Sequence, residues 1–165
     1  MAPRAPIVSN CGQTADAEAL IGLAPACPDA TVHDEVIESG VVASVLIIDD
    51  DWATVETYSR MLRLEGYRVY TATSGDEGLV EAELHSPDAV VLDLRMPLVD
   101  GLEFLRRLRA RAMLRSTPVM IVTGDYLIDE SITSALNQLG VRVAFKPLWI
   151  DDLVKIVSDL LGGAT

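Results

Sequence analysis

The chain has 165 residues, half of them hydrophobic, and a formal net charge of −12. That length makes one ordinary domain with an appendage, and that charge argues against nonspecific binding to DNA or anionic membrane, since both are polyanions. No apolar run approaches a membrane span, and the two cysteines, Cys11 and Cys27, lack zinc-site spacing, so a reduced, soluble, cytoplasmic protein is expected.

Residues 1–43 differ from the rest. Pro3, Pro6, Pro25 and Pro28 punctuate them, and Asp16, Glu18, Asp29, Asp34, Glu35 and Glu38 face only Arg4. The composition predicts a flexible acidic tail. The apolar stretch from Ala19 to Cys27 is not expected to be a secretory leader, because acids precede it and Pro25 breaks it.

From residue 44 to 162 the pattern alternates between strand and helix. Val45 to Ile48 is a continuous apolar run, as a strand buried on both faces should be. Trp52 to Leu64 follows with Val55, Tyr58 and Leu62 at helical spacing, and Gly66 stands at the C-terminal cap. Tyr67 to Ala72 reads as the second strand, and Asp76 to Leu84 as a helix stopped by Ser86-Pro87. Ala89 to Leu92 is the third strand, and a loop through Pro97 and Gly101 leads to a helix with Phe104, Leu105 and Leu108 on one face. Pro118 to Val122 is the fourth strand. A helix with Ile128, Ile132, Ala135, Leu136 and Leu139 ends at Gly140. Val141 to Phe145 is the fifth strand, and the closing helix carries Leu153, Ile156, Val157, Leu160 and Leu161. Five βα units imply an α/β, doubly wound parallel sheet, with the functional site outside the carboxyl ends of its strands.

Those ends carry the chemistry. Ile47-Ile48 runs into Asp49-Asp50-Asp51, Val90-Val91-Leu92 into Asp93, Ile121-Val122 into Thr123, and Phe145 into Lys146. One acid, Asp51, is explained as the cap of the helix at Trp52, but capping does not explain three acids in succession. Acids, a hydroxyl and an ammonium converging on one point suit a magnesium ion and a phosphoryl group. Pro97 and Gly101 fix a tight excursion close to Asp93.

These residues resemble the receiver domain of two-component response regulators. Val45 to Asp51 resembles that family's first strand and acid pair, and Asp93 to Gly101 matches its D-x-x-M-P-x-x-D-G phosphoacceptor motif. Pro118 to Gly124 resembles its fourth strand with the hydroxyl residue, and Phe145-Lys146-Pro147-Leu148 its lysine–proline element. The resemblance implies a CheY-like, flavodoxin-like (βα)5 fold with strand order 2-1-3-4-5. It also implies that Asp93 is the phosphoacceptor, assisted by Thr123 and Lys146. Mg²⁺ would be held by Asp50, Asp93 and the backbone carbonyl of Arg95, with Asp49 acting through a bound water.

The implied protein is a phosphoacceptor switch rather than an enzyme. It is charged by a histidine kinase or histidine phosphotransfer protein and acts on a downstream protein target. A second copy of the chain counts among the expected partners, while nucleic acid and membrane do not. Only four residues follow the last expected helix, so a single-domain regulator, phosphorelay intermediate or phosphate sink is expected. Two rivals remain. A phosphohydrolase with an aspartyl phosphate would place an acid two residues after the nucleophile, where this chain has Arg95. A degenerate receiver would lack part of the acid–hydroxyl–lysine set, which is intact.

One position departs from the family. Three residues before the lysine most receivers carry Tyr or Phe as a rotating switch, and this chain carries Val143. The nearest aromatic, Phe145, should face away from Ala144 and is a candidate for the core. Arg95 and Asp125 are expected to pair over the site and set the lifetime of the phosphoryl group. Arg106, Arg107, Arg109, Arg111 and Arg115 read as the solvated face of an amphipathic helix, and His33 and His85 as incidental.

Overall fold

The structure is a computed structural model, and it describes residues 42–162. The expected acidic tail, Cys11, Cys27 and His33 lie outside the described residues. Ten elements alternate: β1 (Ser44–Ile48), α1 (Trp52–Leu64), β2 (Arg68–Ala72), α2 (Gly75–His85), β3 (Ala89–Leu92), α3 (Gly101–Ala110), β4 (Val119–Thr123), α4 (Glu130–Gln138), β5 (Arg142–Phe145) and α5 (Ile150–Gly162). The five strands form one parallel sheet in the order β2-β1-β3-β4-β5. Fold class and strand order are those the sequence implies.

The alternation of side chains along each strand divides the core in two. Leu46, Ile48, Val90, Leu92 and Ile121 pack with α2, α3 and α4 through Leu79, Phe104, Leu105, Leu108 and Leu136. Val45, Ile47, Val91, Met120 and Val122 pack with α1 and α5 through Tyr58, Leu62, Leu153, Val157 and Leu160. β1, β3 and β4 are buried along their whole length, and β5 at the edge has no buried residue. Phe145 is therefore not core. It is 44 % exposed, because the edge strand ends where neither helix layer covers it.

Helix starts show why some expected boundaries shift. Asp51 caps α1 as expected, its Oδ1 accepting from the Ala53 amide at 3.1 Å. Ser74 caps α2 from outside, so that helix takes in Gly75 and runs on to His85. Asp129 caps α4, which leaves Ile128 in the preceding loop. α3 stops at Ala110, so Arg111 and Arg115 lie beyond it rather than on its face. Arg107 pairs with Glu103 and Asp76, Arg111 with Glu83, and Arg109 donates to the Thr117 carbonyl at 2.8 Å. His85 stacks on Tyr70 with ring centroids 3.8 Å apart.

Candidate phosphoryl-acceptor site

Strand register brings the predicted residues together. Ile48 pairs with Leu92, so Asp49 and Asp93, the next residues, leave neighbouring strands side by side. The Asp93 amide donates to the Ile48 carbonyl at 2.8 Å and the Asp49 amide to the Ala72 carbonyl at 3.2 Å, which extends the ladder to both acids. Thr123 pairs with Phe145, and the Lys146 amide donates to the Thr123 carbonyl at 2.9 Å. Beneath Asp93 the backbone is crowded. A Cβ on Gly101 would lie 2.4 Å from the Asp93 carbonyl oxygen, so only glycine lets α3 start so close to this strand end.

The side chains form one charged cluster. Lys146 Nζ lies 2.5 Å from Asp49 Oδ2 and 3.4 Å from Asp93 Oδ1. Asp49 Oδ1 accepts from the Asp51 amide at 3.0 Å, and Asp93 Oδ2 from the Arg95 amide at 3.2 Å. Asp49 and Asp93 are buried, Thr123 is wholly so, and Asp50 is exposed. Burial pushes the Asp93 carboxyl above its ordinary pKa, and the negative charge of Asp49 adds to this, against the pull of Lys146. For Lys146, burial works downward, but the Asp49 bond and the two carboxylate charges outweigh it and hold the ammonium above its ordinary value.

A cation fits this cluster. Asp49, Asp50 and Asp93 each offer a carboxylate oxygen, and the three lie within 4.8 Å of one another. Asp93 Oδ1 is buried with no hydrogen-bond partner, a costly state for a carboxylate oxygen. Three carboxylates and one ammonium leave two negative charges, those that one Mg²⁺ balances. Oxygen-only donors, with one exposed side for retained water, suit that hard ion. The Arg95 amide contact keeps its backbone beside Asp93, where the family resemblance implies a carbonyl ligand.

Around the cluster, Arg95 and Asp125 form the expected pair, with Nε and a terminal nitrogen of Arg95 at 2.7 and 2.6 Å from Asp125 Oδ2. Each partner's amide also bonds a site group, Arg95 to Asp93 and Asp125 to Thr123 Oγ1 at 3.1 Å. The Asp125 carboxyl is held below its ordinary pKa by the Leu127 amide and by Arg95. Val143 sits half-buried against the core layer that holds Ile128, Ile132, Leu136 and Leu139.

Sequence reading missed Tyr126. Its ring stacks on Phe145 with centroids 5.2 Å apart and planes 14° from parallel, and its hydroxyl donates to the Lys146 carbonyl. The available signal was an aromatic three residues past the strand-end hydroxyl, in a loop otherwise polar up to that point.

A parallel sheet whose central strand ends converge on a buried acid, with a lysine across from it, defines a class of phosphoryl-accepting α/β domains. Residues 45–158 match the response regulator receiver domain family, and the chain belongs to it. The cell cycle transcriptional regulator CtrA of Caulobacter vibrioides is 40 % identical over 88 residues, 53 % of this chain and 37 % of that protein. The transcriptional regulatory protein PrrA of Mycobacterium tuberculosis is 35 % identical over 126 residues, 76 % of this chain and 53 % of that protein. The chain thus spans about half the length, or less, of these curated relatives. Among solved structures, the Vibrio cholerae chemotaxis protein CheY4 superposes with a TM-score of 0.68 at 27 % identity, covering 73 % of this chain and 99 % of that one. A receiver domain protein from Clostridium thermocellum gives 0.65 at 28 % identity, covering 74 % and 96 %. No helix among the described residues is long and apolar enough to cross a membrane.

Proposed function

We propose that Asp93 accepts a phosphoryl group from a phosphohistidine donor, and that the protein is a switch rather than an enzyme acting on an outside substrate. The orphaned Asp93 Oδ1 carries this reading. It is the one buried side-chain oxygen among the described residues with no hydrogen-bond partner, beside an ammonium placed to hold what it attacks. In the transfer, Oδ1 forms a bond to phosphorus as the P–N bond to the donor imidazole breaks and the imidazole takes up a proton. The product is an acyl phosphate on Asp93.

Asp49, Asp50, Asp93 and the Arg95 carbonyl would hold Mg²⁺, which neutralises charge on the phosphoryl oxygens. Lys146 turns from Asp49 toward the phosphoryl group, and the Thr123 hydroxyl donates to it. Phosphorylation takes Asp93 from one negative charge to about two, and these donors answer the surplus. The Arg95–Asp125 pair spans the two groups that flank the phosphorus and governs access of water to it.

The acidic balance of −12 supports output through protein contact. A cytoplasmic single-domain regulator or relay intermediate, with a second copy of the chain as one candidate partner, is the form of switch we propose. Relatives named as transcriptional regulators favour a second reading, in which a receiver of this kind controls transcription. The expectation that nucleic acid is not a partner draws no support from those names. Phosphoramidate has the P–N bond of phosphohistidine. It should load the protein in the presence of Mg²⁺ and fail to do so with EDTA, read by intact mass; loading unaffected by EDTA would contradict the site assignment.

A further inference from the structure

Lys146 follows an edge strand that has no buried residue, yet its ammonium must be aimed between two buried carboxylates. Its backbone is held instead by a single neighbouring segment, at both ends of the residue. The Lys146 amide donates to the Thr123 carbonyl at 2.9 Å, and the Lys146 carbonyl accepts from the Tyr126 hydroxyl. Residues 123–126 thus clasp the lysine while carrying Thr123, the other group that meets a phosphoryl oxygen. The segment is itself tied along its length, by the Asp125 amide on Thr123 Oγ1 and the Leu127 amide on Asp125 Oδ1 at 2.9 Å. The stacked Phe145 ring locks Tyr126 from the other side.

Building on the phosphoacceptor reading, we propose that Tyr126 is a positioning residue for Lys146, and that the Tyr126–Phe145 stack is the element that reports phosphorylation in this chain. Val143 has no ring to rotate and is partly buried against the core layer that includes Leu136. The rings at 126 and 145 are instead 65 % and 44 % exposed, and both residues are tied to groups that a phosphoryl group would draw inward, Tyr126 by its hydroxyl to the Lys146 carbonyl and Phe145 by strand pairing with Thr123. When Lys146 and Thr123 close on the phosphoryl group, the clasp shifts. The stack then loses its register, and both ring faces open beside Leu127, itself 88 % exposed. A two-state element of this kind is shifted by whatever binds one arrangement better.

The test labels the four tyrosines with 3-fluorotyrosine and follows ¹⁹F resonances on adding Mg²⁺ and acetyl phosphate. Loss of one line in Tyr126→Phe assigns it. That line should move on phosphorylation while those of Tyr58, Tyr67 and Tyr70 stay nearly still. Tyr126→Phe keeps the ring and loses the hydroxyl, so loading at saturating donor should slow about fivefold, the worth of one neutral hydrogen bond, with Mg²⁺ half-saturation unchanged. Phe145→Leu should load within about twofold of wild type, the size expected for a lost exposed contact, yet lose the ¹⁹F response. Both side chains are exposed, so unfolding midpoints should stay within a few degrees of the wild-type value. A stationary Tyr126 line in protein shown by mass to carry the phosphoryl group would overturn the proposal alone, as would wild-type loading by Tyr126→Phe. No adduct on the wild type would overturn the phosphoacceptor reading and the proposal with it.

Discussion

The centre and the edge of the sheet contribute to one site in different ways. β1, β3 and β4 are packed by helices on both faces and deliver Asp49, Asp93 and Thr123 from backbone that the core fixes. β5 is flanked by a strand on one side only and delivers Lys146 from backbone that a loop must hold. A nucleophile has to be fixed before its partner arrives, because misplacement by about 1 Å can cost a hundredfold in rate. A group that senses the product has to move. The sheet separates these demands by placing the acids where packing is complete and the sensor where it is not.

Several substitutions would break or sharpen this contrast. Gly101→Ala attacks the fixed side: a Cβ 2.4 Å from the Asp93 carbonyl has only backbone to displace, so stability in urea should fall by about 3 kcal/mol. A smaller loss would mean that the floor of the site yields. Lys146→Met leaves two buried carboxylates unbalanced, and without divalent ions it should cost about 2 kcal/mol. Millimolar Mg²⁺ should restore most of this in a thermal melt if the cation shares the charge-balancing role.

Asp93→Asn should act in the opposite direction. Removing a buried charge whose Oδ1 is unpartnered should stabilise the metal-free protein by about 1 kcal/mol, a rise of a few degrees in Tm. The pH dependence has a definite sign. Asp93 binds its proton more tightly folded than unfolded, so in the window above its ordinary value of 3.8 the folded state holds more protons. Its contribution therefore falls as pH rises through that window, and wild type minus Asp93→Asn should show the decline. The smallest effect on stability should come from changing Arg95→Gln and Asp125→Asn together. The pair is partly exposed, so the melt should not move, while the phosphoryl half-life should change severalfold. An unchanged half-life would remove the pair from the mechanism.

The legibility of the sequence follows the same division. Val45 to Ile48, Ala89 to Leu92 and Met120 to Val122 are unbroken apolar runs because both faces are covered, and polar residues after them stand out as a site. The edge strand is where reading fails. Phe145 follows Ala144 as though alternating into a core, but the sheet ends there and its ring meets Tyr126 in solvent. Tyr126 was invisible because a loop has no periodicity to show which way a side chain turns. Helix starts at Gly75 and Glu130 shifted because the capping bonds of Ser74 and Asp129, rather than apolar spacing, set them.

The most direct measurement of the central claim is intact mass after incubation with Mg²⁺ and acetyl phosphate, comparing wild type with Asp93→Asn. Wild type should gain the mass of one phosphoryl group, and Asp93→Asn should gain none. A wild type that stays unmodified, or an equal gain on Asp93→Asn, would contradict the assignment of Asp93 as the acceptor.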